Sequence, residues 1–99
     1  MVKIWLDDER TAPKGYMHFH SVNETIDFIK NSGYTNILLD LDHDLGEYSY
    51  DGGDAIKLIL WLLENDYQNN KFYKFHFQIH TMNPVGRQNI QALIDRYFN

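Results

Sequence analysis

Apolar and polar residues follow two different periods along the chain, and the period-two segments predict four β-strands. The runs 2–6 and 37–42 are mostly apolar on both faces, which is typical of central strands in a parallel sheet. Tyr16–His20 and Phe75–His80 instead alternate between apolar and polar side chains, as strands at a sheet edge do. The pattern therefore indicates a sheet with two inner and two outer strands.

Three segments with helical signals follow the second, third and fourth strands. Ser21–Glu24 has the pattern of a capping box at the start of a helix, and Gly33 is placed to end that helix. The segment from about residue 55 to residue 65 is apolar nearly all round and is expected to form the most buried helix. Asn83-Pro84 predicts the start of the last helix, with asparagine as the cap.

The order of these elements predicts an α/β fold. We expect a three-layer, flavodoxin-like or receiver-like arrangement in which about three helices cover a reduced, four-stranded, mainly parallel sheet. The order 2-1-3-4 places the two apolar strands inside the sheet. The connection from Leu6 to Tyr16 is short for a parallel crossover, which normally takes a dozen or more residues. The orientation of strand two therefore stays open at this point.

Composition limits the chain to one folded unit. Its 99 residues, 43% of them hydrophobic, suffice for one core, so we predict a single domain over residues 1–99. The absence of cysteine excludes disulfides and thiolate metal sites. The early acids Asp7 and Asp8 argue against a signal peptide, and Leu58–Leu63 is too short to span a bilayer. We therefore expect a cytoplasmic protein without membrane contact. The formal charge of −5 argues against binding to duplex nucleic acid.

Acidic residues collect where two of the predicted strands end. Asp7 and Asp8 follow strand one, and Asp42 and Asp44 follow strand three. These carboxylates should meet, because the carboxyl ends of parallel strands lie at one edge of a sheet. So many oxygen ligands favour a hard cation such as Mg²⁺ or Mn²⁺. The pair Asp7 and Asp8 could equally end a strand and cap a turn, and the sequence leaves that alternative open.

Other polar residues are predicted at the same edge. His43 and His80 titrate near neutral pH and suit acid–base catalysis, although His80 taken alone is as well explained as an edge-strand histidine. The start of the last helix offers backbone N–H groups to a phosphate oxygen. The residues that we expect to bind phosphate or substrate are Arg10, Asn83, Gly86 and Arg87.

Three motifs in this order resemble those of one known family. They are Leu6-Asp7-Asp8-Glu9-Arg10 with Pro13, Leu41-Asp42-His43-Asp44-Leu45-Gly46, and His80-Thr81-Met82-Asn83-Pro84-Val85-Gly86. The chain resembles the cyclic-phosphate-processing receiver-like domains, an offshoot of the receiver domains of two-component response regulators. The resemblance covers nearly the whole chain. It implies a receiver-like fold and an action on cyclic phosphate bonds in nucleotides or RNA ends.

The resemblance also implies roles for single residues. Asp7 and Asp8 resemble the Mg²⁺-binding acids of receivers, and Asp42 lies where receivers carry their phosphoacceptor, with Asp40 as an alternative alignment. Thr81 resembles the hydroxyl residue after the fourth receiver strand. The chain departs from receivers in lacking the lysine of a fifth strand and the helix between the first two strands. It also carries extra histidines, which suit acid–base chemistry on a phosphoester.

Three functions are compatible with the sequence. The first is a metal-assisted hydrolase of a cyclic phosphodiester, in which Asp42, His43, His80 and Thr81 are the catalytic candidates. The second is a module that binds a cyclic nucleotide or a protein without turnover, and the third is an atypical receiver phosphorylated on Asp42. The expected partner is a small cyclic nucleotide or an RNA end, and the chain is compatible with a monomer or a homodimer.

Overall fold

The computed structural model describes residues 1–98 and contains a four-stranded sheet and three helices. The strands are β1 (Val2–Leu6), β2 (Met17–Phe19), β3 (Asn36–Leu41) and β4 (Lys74–Ile79). The helices are α1 (Val22–Asn31), α2 (Ile56–Glu64) and α3 (Pro84–Tyr97), and two short 3₁₀ turns span Gly46–Tyr50 and Tyr67–Asn69. Within the described residues, none of the helices has the length and apolar surface that a bilayer span requires.

The predicted order of the sheet, β2-β1-β3-β4, is confirmed. All three strand pairs are parallel, so the open question about strand two is settled: Ile4 of β1 lies beside Met17 of β2 on one side and beside Leu39 of β3 on the other. Leu39 in turn lies beside Phe77 of β4. The apolar strands β1 and β3 are therefore the inner ones, as their hydrophobic pattern requires.

All three helices pack against the same face of the sheet. The core joins alternate residues of the inner strands, such as Ile4 and Leu39, to Val22 of α1, Leu58 of α2 and Ile90 of α3. Trp5 and Leu38 on the opposite face of β1 and β3 are also buried, but they lie outside the cluster that the helices form with the sheet. The prediction of three layers is therefore wrong. The fold has two layers, because the connection from β1 to β2 contains no helix that could cover the second face.

The long loop between β1 and β2 closes over part of that second face instead. Trp5 points to this side and is only 9% exposed. Its indole Nε1 donates a hydrogen bond to the carbonyl oxygen of Arg10 at 3.0 Å, and the ring of Tyr16 packs edge-on against it at 5.9 Å. The loop that carries the first acids of the site is thus attached to a buried aromatic residue.

Two helix caps show how the sequence fixes the chain near the site. Asn83 caps α3 as predicted, since its side-chain oxygen accepts the N–H of Gly86 at 3.0 Å. Ser21 caps α1 by accepting the N–H of Glu24 at 3.2 Å. The Ser21 hydroxyl also donates to the carboxylate of Asp51 at 2.7 Å, which anchors the end of the first 3₁₀ turn to α1.

Candidate functional site

A cavity of about 430 Å³ opens at the carboxyl edge of the sheet, where β1, β3 and β4 end. Its walls come from the loops that follow these three strands. Seven residues that the sequence predicted for the site line it: Asp7, Asp8, Arg10, Asp42, Asp44, Thr81 and Asn83. Glu9, Gly46 and Met82 complete the lining. Arg10 is the one basic side chain among these lining residues, so the cavity is strongly acidic.

Asp7 is the most enclosed acid of this cavity, with no exposed surface. Its Oδ1 accepts the backbone N–H groups of Glu9 and Arg10, both at 2.8 Å. Burial by itself raises the pKa of Asp7. The two backbone hydrogen bonds and the neighbouring His80 outweigh burial, so the pKa lies below its ordinary value. Asp7 is therefore ionised at neutral pH and fixed in one orientation.

His80 connects Asp7 to a second buried acid, Asp40. Its Nε2 lies 2.9 Å from Asp7 Oδ2, and its Nδ1 lies 2.7 Å from Asp40 Oδ1. Each ring nitrogen of His80 is thus within hydrogen-bond distance of a carboxylate oxygen, so the ring joins the two acids. The ring also stacks on Trp5, with the ring centres 3.7 Å apart and the planes 4° from parallel. His80 thus links two buried acids and holds the Asp7 carboxylate in place.

Asp40 is a residue of the site that the catalytic and metal predictions left out. It lies within β3 and is 6% exposed, and β3 places it beside Trp5 of β1. The signal for it was an acid inside an otherwise apolar strand, because a buried carboxylate needs a partner. Which partner it finds depends on the register of β3 and β4, and that register is a property of the folded sheet.

Asp8 lies across the loop from Gly46, and the two residues pack closely. Gly46 has a positive φ of 55°, and a Cβ at this position would collide with Asp8 Oδ2. Burial is the largest cause that raises the pKa of Asp8 above its ordinary value. A backbone hydrogen bond opposes this shift in part. The negative charges of Asp7, Asp42 and Asp44 increase it.

Replacing Asp8 with asparagine is expected to stabilise the metal-free protein. The folded-state pKa of Asp8 is raised, so ionising this group costs stability as the pH rises above 3.8, the ordinary pKa of the group. We expect Asp8→Asn to raise the melting temperature at pH 7 by a few degrees. The gain should vanish well below pH 3.8, where Asp8 is protonated in both states. Thermal melts across this pH range measure both effects.

Asp51→Asn is the matched control, since it removes the same charge from a chain of net charge −5. The hydrogen bond from Ser21 lowers the pKa of Asp51, with a second contribution from Asn23. Ionised Asp51 therefore supports the fold above its ordinary pKa, and its replacement should lower the melting temperature at pH 7. Equal stabilisation by both variants would show a general charge effect and contradict the local explanation.

His43 forms a second histidine–carboxylate pair at the cavity. Its Nδ1 lies 2.8 Å from Asp44 Oδ1, and Asp44 Oδ2 accepts a hydrogen bond from the side chain of Asn83 at 3.1 Å. The His43 contact is the first cause, and Asn83 a further one, that lowers the pKa of Asp44 below its ordinary value against the effect of burial. Among the described residues, Nε2 of His43 has no hydrogen-bond partner.

Four predicted residues lie outside the cavity lining and support it. His80 and His43 bind lining carboxylates, as described above. Gly86 backs the ring of His43, and a Cβ there would lie 2.8 Å from His43 Nδ1. Arg87 donates to the carbonyl oxygen of Thr81 at 3.2 Å. The structure therefore gathers all the predicted positions in one region, with seven at the cavity and four behind it.

Two groups of side chains are close enough to hold a metal ion, with ligand atoms within 4.8 Å of one another. They are Asp7 with Asp42 and His80, and His43 with Asp44 and Asp54. Both ring nitrogens of His80 already contact carboxylates, so His80 would have to give up one of these contacts to bind an ion. The oxygens of Asp7 and Asp42, with those of Asp8 in the same cavity, form a donor set that suits a hard cation. Asp54 was not predicted from the sequence.

The chain has a parallel α/β sheet with acids after β1 and β3 and the hydroxyl of Thr81 after β4, all at one cavity. This combination places it in the class of receiver-like domains. Within that class, the chain belongs to the family of cyclic-phosphate processing receiver domains, whose family model matches residues 2–96. This membership confirms the resemblance inferred from the three motifs. The comparisons found no match among curated proteins and none among solved structures.

Proposed function

We propose that this chain is a metal-assisted phosphoesterase that opens a cyclic phosphate in a 2′,3′-cyclic nucleotide, an RNA end or a cyclic nucleotide signal. The observation that carries the proposal is the composition of one cavity. It combines the carboxylates of Asp7, Asp8 and Asp42 with groups that suit a phosphate, namely Arg10 and Thr81. The family of the chain is associated with cyclic-phosphate processing, which agrees with this chemistry.

The three carboxylates are assigned to Mg²⁺ or Mn²⁺. Hard cations of this size take oxygen ligands, and a bound cation would offset the burial and the neighbouring negative charges that raise the pKa of Asp8. The cation would supply charge neutralisation of the phosphate and a more acidic bound water. In this assignment His80 keeps Asp7 ionised and oriented, which is a supporting role and not a proton transfer to substrate.

The phosphate is assigned to the other side of the cavity. The Thr81 oxygen accepts the N–H of Asn83 at 3.1 Å, which leaves its own O–H free to donate to a non-bridging oxygen. The guanidinium of Arg10 donates to the carbonyl oxygen of His80 at 3.0 Å. Its further N–H groups suit a charge-assisted contact to phosphate.

His43 is the proposed proton carrier. Of the two histidines, it is the one with a ring nitrogen that no described residue occupies, while Asp44 orients the opposite nitrogen. His43 stands beside Asp44 rather than in the lining, so a proton would pass through one intervening water. Opening the ring needs one proton for the leaving oxygen, and the attacking water releases one. One imidazole can serve both steps in turn.

The test is a panel of the four 2′,3′-cyclic nucleotides and a cyclic oligonucleotide, each with Mg²⁺, Mn²⁺ or a chelator. We expect ring opening to a phosphomonoester or linear product, detected by phosphorus NMR, and no opening with the chelator. His43→Ala should lower turnover by about 100-fold or more and change binding little. Unchanged substrate across the panel, with protein that melts cooperatively, would refute the proposal.

A binding module without turnover is the second candidate, because neither imidazole ring lines the cavity. The same carboxylates, Arg10 and Thr81 would then hold a cyclic nucleotide through its phosphate. This candidate predicts calorimetric binding of a compound from the panel in the presence of Mn²⁺, together with its complete recovery. His43→Ala distinguishes the two candidates, since the module has no turnover to lose.

A further inference from the structure

A second cavity of about 350 Å³ adjoins the first one on the side of the 3₁₀ turn. It is lined by Asp8, Glu9, Gly46, Glu47 and Tyr48. Asp8, Glu9 and Gly46 also line the first cavity, so the two spaces share a wall. A molecule whose phosphate lies in the first cavity can therefore extend into the second.

Tyr48 is the outermost ring of a stack of three. Its ring lies 5.0 Å from that of His20 with the planes 30° apart, and His20 lies 4.3 Å from His18 at 27°. His18 is fixed at the inner end, because its Nε2 donates to the carbonyl oxygen of Asp7 at 2.8 Å. The stack thus begins at the main chain of a site residue and ends at a ring that is 37% exposed.

The backbone around Tyr48 is also held in place. Its N–H donates to the carbonyl oxygen of Leu45 at 2.9 Å, and its carbonyl oxygen accepts the N–H of Asp51 at 3.0 Å. Asp51 in turn accepts the Ser21 hydroxyl at the start of α1. A preorganised ring of this kind offers a stacking surface at little cost in conformational entropy.

We propose that Tyr48 and the adjoining cavity form a subsite for a nucleobase, with the base stacked on Tyr48 as the next layer of the stack. The inference rests on the proposed function for the position of the phosphate, and it adds a separate site for the base. Stacking on an aromatic ring is open to every base, because each base has a π-face. The ring therefore selects a base over a bare sugar phosphate.

The carboxylates of the same cavity select among the bases. Glu9 and Glu47 can only accept hydrogen bonds when ionised, so they favour a base edge that donates. Guanine offers two adjacent donors, its N1–H and its 2-amino group, to one carboxylate. Uracil offers a single N–H between two carbonyl oxygens, which a carboxylate repels. The subsite should therefore favour guanine over uracil.

The experiment compares three substrates with Mn²⁺: guanosine 2′,3′-cyclic phosphate, its uridine counterpart and base-free ribose 2′,3′-cyclic phosphate. Tyr48→Ala should raise KM for the guanosine compound roughly 5- to 150-fold, the effect of losing one stacked base. It should leave the base-free compound unchanged, and Tyr48→Phe should restore the wild-type value. Glu47→Gln should reduce the preference for guanosine over uridine.

Tyr50→Ala is the matched control, because Tyr50 belongs to the same 3₁₀ turn, is 84% exposed and lies outside the cavity lining. It should leave all three substrates unaffected. Equal effects of Tyr48→Ala on the guanosine and the base-free compounds, or no effect on either, would overturn the nucleobase subsite.

Calorimetric binding of the same compounds separates this inference from the proposed function. Binding of the guanosine compound that depends on Tyr48, without any ring opening, would refute the hydrolase and retain the subsite. Ring opening that is unchanged in Tyr48→Ala would refute the subsite and retain the hydrolase. Absence of both binding and turnover for the guanosine compound would refute the subsite, and the same result across the whole panel would refute the hydrolase as well.

Discussion

His80→Ala is expected to lower the free energy of unfolding by about 3 to 5 kcal/mol. The substitution leaves the carboxyl groups of Asp7 and Asp40, 0% and 6% exposed, without the imidazole that contacts both of them. Removing one partner from a buried ion pair has a cost of this size, because the remaining charges stay desolvated. It also removes the ring that stacks on Trp5 at 3.7 Å. The melting temperature should fall by more than about 12 °C.

His76→Ala is the control for this loss, since His76 lies on the same strand and its imidazole makes an exposed hydrogen bond of 3.1 Å to the neutral side chain of Asn36. It should change the melting temperature little. Adding Asp40→Asn to His80→Ala should restore part of the lost stability, because a buried amide costs less than a buried carboxylate that has lost its imidazole partner. A His80→Ala variant that melts like the wild type would show that the contacts of His80 with these acids do not stabilise the fold.

Asp42→Asn is expected to weaken the binding of Mn²⁺ by about 100-fold or more while leaving the fold intact. Asp42 donates its backbone N–H to Leu6 at 2.9 Å, but its side chain has no hydrogen bond to any described residue. Its carboxylate is therefore available to a cation, and a lost ligand costs at least as much as the 10- to 100-fold typical of outer-shell groups.

Thermal melts with added Mn²⁺ measure this difference. At a concentration one hundred times its dissociation constant, Mn²⁺ should stabilise the wild type by about 2.7 kcal/mol and the variant by only about 0.4 kcal/mol. Asp44→Asn is the companion variant, because Asp44 belongs to the other candidate group, with His43 and Asp54. If Asp44→Asn loses Mn²⁺ binding and Asp42→Asn does not, the ion binds at the second group.

The sequence predicted the sheet well because its signals are local. Apolar runs on both faces identified β1 and β3 as inner strands, and Asn83-Pro84 fixed the start of α3. The number of layers was wrong because an amphipathic helix shows which of its faces is buried, but not which face of a sheet it covers. The informative feature was the short connection from Leu6 to Tyr16, which has no room for a helix on the second face.

The sequence predicted where the candidate site lies, but it predicted fewer of the contacts between the residues of the site. Parallel topology alone brings the ends of β1, β3 and β4 together, so the convergence of Asp7, Asp42 and Thr81 followed from strand order. The partners of each histidine did not follow. His80 meets Asp40 because β4 and β3 pair in one particular register, and a shift of two residues would separate them without changing any face of the sheet.

The stacking of His80 on Trp5 extends the site into the interior of the domain. Trp5 is not one of the residues that line the acidic cavity, yet its ring stacks on the imidazole that holds Asp7, and its indole also fixes the loop through the carbonyl of Arg10. The geometry around the first acid is thus set during folding, before any ligand arrives, so little ordering is left for the moment of binding. A substitution of Trp5 should therefore lower the affinity for a ligand in the acidic cavity, although Trp5 does not line that cavity.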